Sequence, residues 1–197
     1  TFNADRIVIG ADDDQAYKTV EEMYAPLELP IVHVSVRSSE MIKYASNDFL
    51  ALKISYINEI ANFCEIVGAD IEEVARGMGM DRRIGSNFLK AGIGYGGSCF
   101  PKDTKALNFQ SDHAGVKLKT VKATIDVNRE QRTRLIDKAR RFFPTFRDVR
   151  VAIIGLTFKP GTDDLREAPA KQNIDILLNE GANVIAWDPL GAENFRK

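Results

Sequence analysis

One long helical run constrains this chain more than any other feature. Ser38 or Ser39 supplies a cap, Glu40 falls in the first turn, and helical character continues to about Val67, where Gly68 stops it. Some thirty residues of α-helix span roughly 45 Å, longer than a small domain needs. Its apolar residues, among them Met41, Ile42, Phe49, Leu50, Leu52, Ile54, Ile57, Ile60 and Phe63, cover more than one stripe. A helix that is apolar on several faces is buried on several faces. The economical expectation is a central helix shared between two subunits of a homodimer.

The flanks read differently. RIVIG, Arg6 to Gly10, is a short buried strand, and Asp12 to Leu27 is a helix with an acidic start and a stop at Pro26. No complete βαβ unit precedes that strand. Pro30 and the run Ile31 to Val36 read as an extended link. Beyond the long helix come a short helix from Asp70 to Gly77 and a basic turn from Asp81 to Gly85. Two further helices follow, Lys102 to Gly115 and Lys119 to Phe143, the second stopped by Pro144. The strand VRVAIIG, Val149 to Gly155, a loop, a helix from Ala168 to Asn179 and a strand from Asn183 to Trp187 make a βαβ unit. The expected fold is α/β overall. A mainly α-helical central dimerisation domain, residues 31–147, lies between partial Rossmann-like α/β domains at 1–30 and 148–197. The chain opens and closes in mid-fold and reads as a piece of something longer.

The chemistry concentrates in NFLKAGIGYGGSCFPKDTKAL, Asn87 to Leu107. Pro101 is expected at the first helical position, where its missing N–H costs nothing. That puts Asp103 third in the helix and Cys99 just ahead of the cap. A thiol at a helix N-terminus near lysines is expected to ionise more readily than a free one. Gly92, Gly94 and Gly97 satisfy GxGxxG, but a dinucleotide fingerprint needs a strand before it and a helix opening inside it. The glycines therefore read as a loop whose backbone approaches a ligand, with a plain connector as the alternative. A formal net charge of −1 gives no case for nucleic acid or an anionic membrane. There is no apolar run of membrane-spanning length and no signal-peptide pattern. Two cysteines in unlike settings fit a reducing cytoplasm, with Cys64 a small core residue. His33 and His113 lack partners at metal spacing, so no metal is expected. Trp187 is expected to pack near a strand end.

The segment GYGGSCFPKDTKAL resembles the active-site segment of the UDP-glucose 6-dehydrogenases, within the wider family of nucleotide-sugar 6-dehydrogenases. The resemblance runs from about Arg6 to Pro189. It includes NEIANFCEIVGADIEEVARGMGMDRRIG upstream and VAIIGLTFKPGTDDLREAP downstream. It implies an NAD-dependent double oxidation of UDP-glucose to the acid through a thiohemiacetal and a thioester on Cys99. Lys43 and Asn47, one turn apart in KYASN, would stabilise oxyanions, and Asp103 would orient or deprotonate water. Phe88, Leu89, Lys90, Tyr95 and Gly96 would line the sugar-nucleotide site. Phe158 and Lys159 would approach from the C-terminal domain, and Arg83 would reach the neighbouring subunit's substrate. Lys102 and Arg166 match residues near the dinucleotide. The serine before Cys99 and the phenylalanine after it favour UDP-glucose over GDP-mannose or another nucleotide sugar. A non-catalytic helical dimerisation module is the reading from another class, and the intact Lys43, Asn47, Cys99 and Asp103 set argues against it. Taken alone, the chain is expected to be inactive, because the pyrophosphate-binding turn would lie outside it.

Overall fold

The structure, a computed structural model, describes residues 4–196. The chain divides between Ser46 and Asn47 into two compact units. In the first, strand β1 (Ile7–Gly10), helix α1 (Asp14–Tyr24) and strand β2 (Ile31–Val34) form a parallel βαβ crossover, with Ile7 opposite Ile31 and Gly10 opposite Val34. The segment expected to be an extended link is thus a paired strand, which satisfies main-chain groups a link would leave to water. Asp13 caps α1, its Oδ1 accepting from the Ala16 N–H at 2.8 Å.

Helix α2 (Val36–Val67) starts before the expected serines. Ser35 does the capping: its Oγ accepts from the Ser38 N–H at 3.3 Å. Ser39 instead lies inside the first turn and donates its hydroxyl to the Val36 carbonyl. A side chain on Gly10 would collide with Ser39, since a Cβ there would sit 2.1 Å from Ser39 Oγ.

In the second unit the buried residues of α2 are small or polar apart from Ile57: Asp48, Ala51, Ser55, Asn58, Ala61 and Cys64. Cys64 is buried, as its apolar helix implied. Small side chains let α5 (Lys119–Gln131) approach closely enough for Ser55 Oγ to donate to the Thr124 carbonyl at 3.0 Å. Two turns further along, Asn62 Nδ2 donates to Gln131 Oε1 at 2.8 Å. Between these two helices come α3 (Ile71–Gly79), capped by Asp70, and α4 (Cys99–His113). The expected single helix from Lys119 to Phe143 is broken at Arg132 and Thr133, and α6 (Arg134–Arg140) continues it. At the break the Arg132 carbonyl accepts from Asn173 Nδ2 at 2.8 Å, a tertiary partner the sequence pattern could not announce.

The chain then forms β3 (Arg150–Ile154), α7 (Pro169–Asn179), β4 (Asn183–Trp187) and a short α8 (Ala192–Phe195) that was not anticipated. β3 and β4 run parallel, with Arg150 opposite Asn183 and Ile154 opposite Trp187. Ile136, Phe146, Leu177 and Ala182 form one core cluster, and Leu156, Ala170 and Ile174 form a second. Each large side chain so buried contributes about 1.5–3 kcal/mol. Trp187 does not pack as expected; it is 59% exposed at the end of β4.

The next residue, Asp188, ties the turn after β3 to the turn after β4. Its Oδ2 accepts from the Leu156 N–H at 2.8 Å, and its Oδ1 accepts from Gly191 and Leu190 at 2.7 and 2.9 Å. These main-chain donors, Leu156 foremost, pull the carboxyl from an ordinary 3.8 down to about 2. A depressed folded-state pKa contributes stability that is present above pH 4 and lost as pH falls from 4 towards 2. The urea midpoint of the wild type should therefore drop through that window more steeply than that of Asp188→Asn. Asp164, lowered to about 2 by Arg166, continues to titrate in both proteins. Parallel slopes would mean that Asp188 is not held by those amides.

Candidate active site

The site is built on an irregular segment that leads into α4. Within it, Leu89 is buried, while Lys90 is exposed and Phe88, at φ 65°, is exposed as well. Side-chain amides from two helices hold the glycine run that follows. Asn58 Oδ1 accepts from the Gly92 N–H at 2.7 Å, and Gln131 Nε2 donates to the Gly92 carbonyl at 2.7 Å. Asn128 grips Tyr95 at two points: its Oδ1 accepts from the Tyr95 N–H at 2.7 Å, and its Nδ2 donates to the Tyr95 carbonyl at 3.2 Å. These three amides sit at spacings that also suit a solvated helix face, so nothing in the sequence marks them as buried ligands of a loop. Burial of Tyr95 pushes its phenol up, against a lesser opposing effect from the Thr104 hydroxyl.

Cys99 is the first residue of α4, not a residue ahead of its cap. Pro101 is accordingly third rather than first. The substitution is tolerated because the first four N–H groups of a helix have no intrahelical partner. Cys99 is exposed to solvent. Asp103 lies four residues on, hence on the same helix face, and is 0% exposed. Its Oδ2 accepts from Asn47 Nδ2 at 2.6 Å and its Oδ1 from Lys102 Nζ at 2.5 Å. An exposed thiol thus stands one turn above a buried, doubly hydrogen-bonded carboxylate, with an amide from α2 beside it. Lys43 is exposed one turn before Asn47 on α2, its Nζ 5.7 Å from the Tyr44 ring centroid.

A second wall comes from the loop after β3. The Gly97 N–H donates to the Arg166 carbonyl at 2.8 Å. Phe158 packs so tightly on Gly97 that a Cβ there would lie 2.7 Å from the ring. Lys159 Nζ sits 5.3 Å from the Phe158 ring centroid. The Arg166 guanidinium is held protonated chiefly by Asp164, with a smaller contribution from Cys99, so it lies within electrostatic reach of the thiol. Tyr95, Gly96, Cys99, Phe158 and Arg166 are therefore gathered by one junction. Arg83 pairs with Asp81 at 2.6 Å and is highly exposed.

The glycine run does not fit a pyrophosphate. The N–H groups of Gly92, Tyr95 and Gly97 are all taken by protein acceptors, whereas a dinucleotide loop offers its N–H groups to the ligand. Lys102 and Arg166 do fit an anionic cofactor: both are exposed basic side chains, one three residues from Cys99 and the other within its electrostatic reach. Among the described residues no group of His, Cys, Asp and Glu is arranged to hold a metal ion. No described helix is long and apolar enough to cross a membrane.

Residues 37–130 match the central domain of the UDP-glucose/GDP-mannose dehydrogenase family, and residues 152–197 match that family's UDP binding domain. The chain is 52% identical over 196 residues to UDP-glucose 6-dehydrogenase YwqF of Bacillus subtilis, covering 100% of this chain and 44% of that protein. It is 46% identical over 201 residues to UDP-glucose 6-dehydrogenase AglM of Haloferax volcanii, covering 100% and 46%. Among solved structures, a UDP-glucose dehydrogenase from Pyrobaculum islandicum superposes with a TM-score of 0.96 at 38% identity, over 99% of this chain and 45% of that one. The chain spans less than half the length of these relatives.

Proposed function

The chain belongs to the UDP-glucose/GDP-mannose dehydrogenase family, and on that premise we propose that it carries the reacting centre of a cytoplasmic, NAD-dependent UDP-glucose 6-dehydrogenase. One observation supports this above the rest: Cys99 stands exposed at the start of α4, one turn from a buried Asp103 that Asn47 and Lys102 hold in place.

The reaction oxidises one carbon twice, from alcohol to aldehyde to acid. NAD, when bound, supplies the hydride acceptor, with Lys102 and Arg166 as its basic neighbours. The Cys99 thiolate adds to the aldehyde carbon and forms a thiohemiacetal, whose oxidation leaves a thioester for water to hydrolyse. Each step places charge on the former carbonyl oxygen. Asn47 uses one amide N–H on Asp103 and has a second to offer that oxygen. Lys43, on the same helix one turn earlier, is the second donor. Asp103, oriented from both sides, accepts the proton of the attacking water. Phe88, Leu89, Lys90, Tyr95 and Gly96 line the sugar nucleotide from one wall, Phe158 and Lys159 from the other, and Arg83 contributes across a subunit boundary.

A two-fold dimer through α2 completes the proposal. Phe49, Tyr56 and Phe63 repeat every seven residues and are all exposed, Phe49 at 61% and Phe63 at 60%. A stripe of that kind is the seam of a helix pair.

The test uses a full-length enzyme containing these residues. UDP-glucose should yield two NADH per sugar, GDP-mannose should yield none at comparable concentration, and light scattering on the same preparation should report a dimer. Equal turnover of GDP-mannose would move the substrate assignment, and a micromolar monomer would remove the dimer and the role of Arg83 with it.

A further inference from the structure

We propose that Arg132 is a positioning residue that holds the glycine loop in register with the Asp164–Glu167 turn, and so sets the width of the site between its two walls. As a statement about turnover this rests on the function proposed above; as a statement about loop register it does not.

One guanidinium serves three acceptors. Arg132 Nη2 donates to the carbonyls of Tyr95 and Glu167, each at 3.1 Å, and Nη1 donates to Glu167 Oε2 at 3.0 Å. The arginine is itself fixed: its side chain is only 14% exposed, and its carbonyl accepts from Asn173 at the break between α5 and α6. The two segments it joins also touch directly, through the Gly97 N–H on the Arg166 carbonyl and the packing around Gly96. That packing leaves no slack, since a Cβ on Gly96 would lie 2.3 Å from the Glu167 carbonyl oxygen. Glu167 sits at φ 51°, a conformation a non-glycine residue keeps only when its surroundings impose it. Arg132 holds the glutamate's carbonyl and one carboxylate oxygen, and Lys105 donates to the other at 3.2 Å. Cys99 follows Gly97 by two residues and Arg166 precedes Glu167 by one, so a slip at this junction moves the start of α4 against the turn that carries Arg166. Lysine cannot substitute, because an ammonium lacks the planar fork that spans three acceptors.

The test compares Arg132→Lys with Ile176→Val, a core change in the same unit that packs against the cluster of Ile136, Phe146, Leu177 and Ala182. Amide exchange is read at residues 92–98 and 163–168, with global stability measured on each protein. In Arg132→Lys both segments should exchange about 10-fold faster or more relative to the rest of the unit, in line with the loss of one or two net hydrogen bonds. In Ile176→Val they should follow global stability alone. In the full-length enzyme, Arg132→Lys should lower UDP-glucose affinity about 10-fold as well. Identical exchange in the two variants, or full protection by lysine, would overturn the proposal. If the exchange difference appears but the wild type shows no UDP-glucose binding, the register role stands and the proposed function falls.

Discussion

In the full-length enzyme, Cys99→Ser should abolish formation of the acid. A serine hydroxyl is far less ionised than a thiol at neutral pH and would give an ester in place of a thioester. Removing a covalent nucleophile lowers turnover by on the order of 10⁴–10⁶. The fold should tolerate the change, since Cys99 is exposed and makes only a weak contact with Ser98, its sulfur 3.9 Å from the Ser98 hydroxyl. Steady-state NADH formation with product analysis checks both halves of the statement. Residual acid at more than a few per cent of the wild-type rate would mean that another group carries the addition. Cys64 is a poor candidate, being buried on the inner face of α2.

Asn47→Ala should lower turnover by on the order of 10²–10³ with little change in KM, the signature of a donor that acts on charge developing in the reaction. Lys43→Ala should do the same. The two differ in their side effects. Asn47 is a hydrogen-bond donor to a fully buried carboxylate, at 2.6 Å, so its removal should also cost about 1–3 kcal/mol of stability. Urea unfolding separates that loss from the kinetic one. A raised KM at unchanged turnover would reassign both residues to substrate binding.

The large elements were legible because their signals are local. The α2 helix, the βαβ unit from β3 to β4 and the acidic starts of α1 and α3 follow from periodicity, glycines and short polar side chains. Errors fell where a tertiary contact overrode the local signal. The β2 strand looked like a link because four residues carry little pattern, and pairing with β1 decides the matter. Proline favours the first helical position, yet Pro101 is third in α4, since any of the first turn's unpartnered N–H positions accepts it. The helix from Lys119 was read through its break because no glycine or proline marks Arg132.

At the site, the residues that would meet the substrate were legible through the resemblance and the residues that hold them were not. Cys99 and Asp103 lie in one long motif, and Asn47 lies in KYASN. Asn58, Asn128, Gln131 and Arg132 lie on helices where amides and arginines ordinarily face water, and their role depends on a loop folding against them. Of the apolar residues that mark α2 in the sequence, Met41, Phe49 and Phe63 are exposed in the single chain.

The central claim is that carbon bonds to the Cys99 sulfur during turnover, and rapid-quench mass mapping addresses it directly. The full-length enzyme is mixed with UDP-glucose and NAD, quenched in acid on the millisecond scale and digested. The account predicts a sugar-nucleotide adduct on the peptide containing Cys99 that hydroxylamine removes, as it removes a thioester, and that does not form when NAD is omitted. Steady acid production with Cys99 unmodified at every quench time, or with the adduct on Cys64, would contradict it.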